Sequence, residues 1–276
     1  LTRLRAQLDL VDDQILELLV QRATIVDSVG RDGGKAGAKI RPGREASILR
    51  RLIGRPRGVL PAQAVTRFWR EIFAASLIIE GGHMVAVCEG EGAVDRLALA
   101  REHFGPLTPM RRHHNPAQSL AEVAREAAQL AVLPPPSEDE DGQGGWWPLL
   151  TASGAHRLYV IAKLPFWSKR AEGSPTGEAF VVAALPPDPS GADHGLMSLE
   201  VPGDVSRTRI TTLVKDAGFA PLQVWVRRSA GESAMRALIE VEGLVTDDDP
   251  RLAAIAGLEA PPVVIGGFAV PVGDEA

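Results

Sequence analysis

Apolar residues at the start of the chain recur on alternating steps of three and four: Leu1, Leu4, Leu8, Val11, Ile15, Leu18, Ile25 and Val29, with one step skipped. That spacing is a helical seam of coiled-coil period, and it predicts one helix of about 30 residues, against the ~12 usual in globular proteins. The glycines Gly33, Gly34 and Gly37 stop it. Pro42 then allows a second helix over 44–53, which Gly54 and Pro56 end, and Pro61 heads a third that runs to Ile79 with the seam Val65, Trp69, Ile72, Ser76 and Ile79. A unit this small cannot easily bury the seam of so long a helix by itself, so an intertwined homodimer is expected.

After Gly81-Gly82 the pattern changes to short strands and helices. MVAVCEG, VDRLALAREHF, AQSLAEVAREAAQ and LAVLPPP read as small α/β material. The acidic run over 134–145 reads as linker, RLYVIAKL (157–164) as a strand and PPDPSGAD (186–193) as a loop. The remainder reads as strand (EAFVVAAL), helix (SRTRITTLVKDAG), strand (PLQVWVRR), strand (AMRALIEVEGLV), helix (DPRLAAIAG) and strand (PVVIGGFAV), a ferredoxin-like βαββαβ order. The fold class is therefore multidomain: an all-α three-helix unit over 1–81, an α/β lobe over 84–168 and a βαββαβ unit over 176–276.

Composition narrows the function. The 276 residues are 45% hydrophobic and 24% charged with a net charge of -5, which gives no broad cationic face for nucleic acid or an anionic membrane. Any anionic ligand must meet a local cluster of cations. One cysteine, Cys88, makes neither an internal disulfide nor a thiolate metal site and suits a reducing, cytoplasmic setting. No apolar run approaches the roughly 20 residues of a membrane span, and no signal peptide is visible. The chain begins at Leu1 without a methionine, so a few native residues are expected before it.

Arg22 stands in the first seam between Leu18 and Ile25, where the period calls for an apolar residue. It either snorkels to the surface, pairs with a helix carboxylate, or meets an anion. The second helix repeats the anomaly with Arg44 and Glu45, one turn before Ile48 and Leu49, and the third with Ser76 and Glu80 on the face of Ile72. Three helices that each bring polar groups to an apolar face imply a shared pocket suited to carboxylates. Elsewhere the signals favour bland readings: His113-His114 as a solvated turn, Glu138 to Asp141 as linker, Trp146 and Trp147 as packing. The EGEG run over 89–92 is too acidic for a phosphate cradle.

The strings LRAQLDLVDDQILELLVQRATIVDSVG, RPGREASILRRL and TRFWREIFAASLIIE, in this order over 1–81, resemble the all-helical class of chorismate mutase. The resemblance implies an interlocked three-helix homodimer with two equivalent sites, no cofactor and no metal. It assigns Arg5 as the arginine supplied by the partner subunit and Arg22 as the carboxylate-binding arginine of the same subunit. Arg44 and Glu45 match the Arg-Glu pair of the second helix, the Glu accepting the substrate's ring hydroxyl. Ser76 and Glu80 match the polar pair of the third, where many relatives carry glutamine at the second place. Glu80 can donate to the ether oxygen only when protonated, which predicts activity that falls as pH rises. The family's lysine, about eleven residues after Arg22, falls on Gly33, with Lys35 as the expected substitute and Lys39 as the alternative. Arg41 stands where many relatives have an acidic residue.

The remainder resembles the dehydratase and ACT regions of the bifunctional chorismate mutase/prephenate dehydratase with its working parts changed. His156 replaces the threonine of a Thr-Arg-Phe motif, the region is roughly one lobe of two, and a degenerate dehydratase is expected. PGDVSRTRI and WVRR stand where the ACT class has its amino-acid-binding motifs. The resemblance implies an amino-acid effector at the ACT-like domain, with a scaffold that only pairs subunits as the alternative. The expected activity is chorismate mutase, chorismate to prephenate, in phenylalanine and tyrosine biosynthesis. The alternatives are a non-catalytic regulatory protein of that pathway and an isochorismate pyruvate lyase.

Overall fold

The computed structural model describes residues 1–32, 40–89, 94–138, 145–151, 157–167, 170, 172–228 and 233–273. Helix α1 (Thr2–Asp32) runs 31 residues, as long as its seam predicts. Leu4, Leu8, Val11, Ile15, Leu18, Ile25 and Val29 are each at least 48% exposed, so one copy of the chain leaves that seam on its surface. Helix α1 rests on α3 (Ala62–Ile79), which Pro61 introduces, and α3 in turn packs on α2 (Pro42–Ile53).

Helix α2 starts two residues earlier than its apolar pattern suggests, because its free N–H groups are met from far along the chain. The Asp188 carboxylate accepts from the amides of Gly43 (2.9 Å) and Arg44 (3.0 Å), a side-chain cap supplied by the 186–193 loop. A Cβ on Gly43 would sit 2.0 Å from the Asp188 carbonyl oxygen, so only glycine allows this approach. Arg50, two turns on, donates to Ser190 Oγ (2.8 Å) and to the carbonyls of Ala192 (3.0 Å) and Val270 (2.7 Å). Below these polar ties, Ala46, Leu49, Ile53 and Phe73 share a core with Phe166, Ala269 and Val272. The helical unit is thus welded to the α/β region by both apolar burial and charge-assisted hydrogen bonds.

The α/β region is built on one nine-stranded sheet. In chain order the strands are β1 (Val85–Cys88), β2 (Met110–His113), β3 (Leu130–Leu133), β4 (Tyr159–Leu164), β5 (Ala179–Ala183), β6 (Asp193–Pro202), β7 (Pro221–Arg228), β8 (Ala234–Glu242) and β9 (Ala260–Ala269). Their order across the sheet is β2-β1-β3-β5-β4-β9-β6-β8-β7. Helices α4 (Arg96–Phe104) and α5 (Pro116–Ala124) make the crossovers of the parallel β1, β2 and β3, and α6 (Arg207–Asp216) links β6 to β7. Asp95, Asn115 and Ser206 cap these three helices through their side-chain oxygens.

Three expectations are corrected here. The EAFVVAAL strand does not open the last unit: as β5 it lies between β3 and β4, so the first lobe extends past residue 168 and the 176–276 unit loses its first strand. Its place is taken by β6, an unassigned run whose central residues are buried on both faces and show no alternation. With β6 first, the order β9-β6-β8-β7 and the succession strand, helix, strand, strand, turn, strand keep the βαββαβ plan. The predicted helix at DPRLAAIAG is only a 3₁₀ turn (Pro250–Ala254). His113 ends the edge strand β2 instead of lying in a turn, whereas Trp146 and Trp147 are buried packing residues.

The two halves of the sheet meet where β4 and β9 run parallel at Val160 and Gly266. Gly266 has φ +127°, and a Cβ there would stand 2.1 Å from the Val160 carbonyl oxygen. Among the described residues, no helix is long and apolar enough to cross a membrane.

Candidate active site

The polar anomalies of the three helices converge. Arg22 Nη1 of α1 donates to Ser76 Oγ of α3 at 2.5 Å, and that hydroxyl donates on to the Ile72 carbonyl at 2.7 Å. The Arg22 guanidinium lies 6.0 Å from the centre of the Phe73 ring. Burial lowers its pKa, the Glu45 and Glu80 carboxylates raise it in turn, and an arginine so placed remains a cation. Glu80 caps the end of α3, where its side chain faces Gly30 of α1. Arg22 is therefore bonded to Ser76 and lies within electrostatic reach of Glu45 and Glu80.

The other expected residues do not join them within one chain. Arg44 is exposed, with its backbone amide on Asp188. Arg41 pairs with the same aspartate at 3.4 Å. Arg5 lies about 25 Å before Arg22 along α1 at ~1.5 Å per residue, out of reach of its own subunit's site. Gly33, Lys35, Lys39 and His156 lie outside the described residues.

Arg70 was not anticipated. It is 7% exposed, donates to Glu45 Oε2 at 2.7 Å, and lies 5.2 Å and 5.9 Å from the ring centres of Phe166 and Phe73. The signal was available: Thr66, Arg70, Phe73 and Leu77 form a second seam on α3, with an arginine in an apolar place as on α1. The same Nη1 also meets His103 Nε2 of α4 at 3.3 Å. A guanidinium has no acceptor, so the imidazole must accept, which fixes it neutral with its proton on Nδ1. A cleft of about 560 Å³ opens between α3 and α4, with Arg70, His103 and Phe166 in its wall.

Burial governs the ionisation of this group. It raises the Glu45 carboxyl, and Arg70 only partly offsets it. It lowers His103 well below the usual histidine range, with the Arg70 charge adding to the effect. It also lowers His83, which sits edge-on to Phe104. A depressed histidine binds fewer protons folded than unfolded, so its contribution to stability is present above ~6.5 and is lost as pH falls below that value. The raised Glu45 works in the opposite sense, losing stability as pH rises through its native pKa from the ordinary carboxylate range of ~4.3. The urea midpoint of His103→Gln should therefore vary less than that of the wild type between about pH 5 and pH 6.5. Equal slopes for the two proteins would refute the assignment of that dependence to His103.

Residues 4–81 match the family model described as chorismate mutase type II. The bifunctional chorismate mutase/prephenate dehydratase of Pseudomonas aeruginosa is 33% identical over 138 residues, 48% of this chain and 36% of the relative. That of Neisseria gonorrhoeae is 36% identical over 101 residues, 37% of this chain and 27% of the relative. The matches thus span about a third of the length of these relatives. Among solved structures, prephenate dehydratase from Arthrobacter aurescens in complex with L-Phe aligns over 67% of this chain and 90% of that one, with 14% identity and a TM-score of 0.48. GqqA, described as a novel type of quorum quenching acylase, aligns over 67% of this chain and 94% of its own, with 16% identity and the same TM-score. With three helices in the expected order and Arg22 of the first bonded to Ser76 of the third, residues 4–81 are a chorismate mutase type II domain, homologous to the bifunctional chorismate mutase/prephenate dehydratases.

Proposed function

We propose that the protein is a chorismate mutase that converts chorismate to prephenate in aromatic amino-acid biosynthesis. The observation that carries this reading is the Arg22 guanidinium, bonded to Ser76 of another helix and within electrostatic reach of Glu45 and Glu80, inside the matched domain. The reaction breaks one ether C–O bond and forms one C–C bond inside a single dicarboxylate, so it needs no nucleophile. It needs the compact conformer held and charge on the ether oxygen met. Arg22 takes one carboxylate, Glu45 accepts the ring hydroxyl, and Glu80 is the group assigned to the ether oxygen. Arg5 of a second copy and Lys35 of the 33–39 segment supply the remaining cations.

The exposed α1 seam supports the homodimer, since a second copy would bury it and carry its own Arg5 toward this site. Unfolding should then depend on concentration, each tenfold dilution costing the folded state about 1.4 kcal/mol. A urea midpoint that stays fixed over a thousandfold dilution would exclude the interlocked dimer. For the rest of the chain we read a degenerate dehydratase-like lobe over 84–183 and an ACT-like domain from β6 onward, the latter supported by its strand order. An amino-acid effector is proposed for that last domain.

The test is loss of chorismate with product identification. Prephenate is the expected product. Turnover of isochorismate to pyruvate would replace the mutase by a lyase. Tight binding of a bicyclic dicarboxylate mimic without turnover of either substrate would leave a binding protein.

A further inference from the structure

We propose that His103, which belongs to the α/β lobe, is a positioning residue for the mutase site. The inference rests on the mutase reading and extends it beyond the helical domain. Glu45 lies on α2 and its carboxylate is held by Arg70 of α3 at 2.7 Å. Nη1 of a guanidinium carries two protons. One goes to Glu45 Oε2 and the other to His103 Nε2 at 3.3 Å, so the imidazole fixes the rotation of the group that aims Glu45. The centre of the Phe166 ring, also from the lobe, lies 5.2 Å from the same guanidinium. His103 is in turn placed by the last turn of α4, edge-on to Phe104 at 4.7 Å. Arg70 is buried, with Glu45 and His103 half-buried beside it, and a water from the adjoining cleft that replaced the imidazole would solvate the guanidinium without fixing its rotation.

A consequence distinguishes aim from mere fold. Glu45 is assigned to the ring hydroxyl, which does not change in the reaction, so misaiming it weakens ground state and transition state alike. The signature is a raised KM at nearly constant kcat. A fall in the folded fraction would do the reverse, lowering apparent kcat at constant KM.

The experiment uses the full chain carrying His103→Leu or His103→Gln. The glutamine amide oxygen can accept from Arg70, and leucine cannot. For chorismate turnover, His103→Leu is expected to raise KM about tenfold with kcat within about twofold, and His103→Gln to return KM to within about threefold of the wild type. Calorimetric binding of a bicyclic dicarboxylate mimic to the same three proteins should follow the same order. That second readout holds if the wild type proves inactive: the mutase reading then fails, while a tenfold affinity loss in His103→Leu restored by His103→Gln still supports the positioning role. An unchanged KM and affinity in His103→Leu, or a His103→Gln variant no better than His103→Leu, would overturn it.

Discussion

Arg22→Ala is expected to lower kcat/KM for prephenate formation by about 10² to 10⁴. The guanidinium is already partly desolvated, lies 6.0 Å from the centre of the Phe73 ring and is oriented by Ser76 Oγ, so it has been prepared before any substrate arrives. A charge-assisted bidentate contact with a carboxylate is worth ~3–6 kcal/mol when both bonds are buried. Each ~1.4 kcal/mol is a factor of ten in rate. Arg22→Lys should recover only part of this, because an ammonium cannot make the fork-shaped contact and keep Ser76 as a partner. The measurement is chorismate disappearance with product identification, beside urea unfolding of each variant. Activity within about threefold of the wild type in Arg22→Ala would remove Arg22 from the substrate site.

The largest effect on stability is expected from Arg70→Ala, which leaves the half-buried Glu45 carboxylate of α2 without its ion-pair partner. Removing one partner of a buried pair costs ~3–5 kcal/mol, because the remaining charge loses its compensation. Glu45 would respond by holding its proton more firmly, since burial already raises its pKa and the Arg70 charge is what chiefly opposes this. The double variant Glu45→Leu/Arg70→Met should regain most of the loss, since burying two neutral side chains costs little once neither partner is charged. Urea unfolding of the single and double variants gives both numbers. A cost below about 1 kcal/mol for Arg70→Ala would mean that the pair is hydrated and does not hold α2 against α3.

The contrast between Arg22 and Arg70 marks how far the site could be read ahead of the structure. Both are arginines in apolar helical seams. Arg22 was identified because its seam is long and regular enough to expose the single break in it. Arg70 is not legible in this way, because its neighbours Trp69 and Ile72 define a competing seam on the same helix, and periodicity alone does not say which face is inside. Thr66, Arg70, Phe73 and Leu77 are the face that α2 and the lobe cover. Arg44 follows the same local rule as Glu45, yet one residue along a helix turns a side chain by ~100°, and within one chain Arg44 is exposed. Nothing in the sequence near His103 marks it as a partner of the helical domain, since its role comes only from α4 meeting α3.

The helices of the first domain, their lengths and their order followed from patterns that span one or two turns, because a helix seam is made by residues three and four apart. The strands β5 and β6 could not be placed in that way. Both are apolar and buried on both faces, so their residues carry no mark of which neighbour they pair with, and β5 went to the first lobe while β6 opened the last unit. The same holds for the junction of the helices with the sheet. Asp188 caps α2 from 145 residues away and Arg50 reaches Val270 across 220, and bonds over such distances exist only once the chain has closed around a common core.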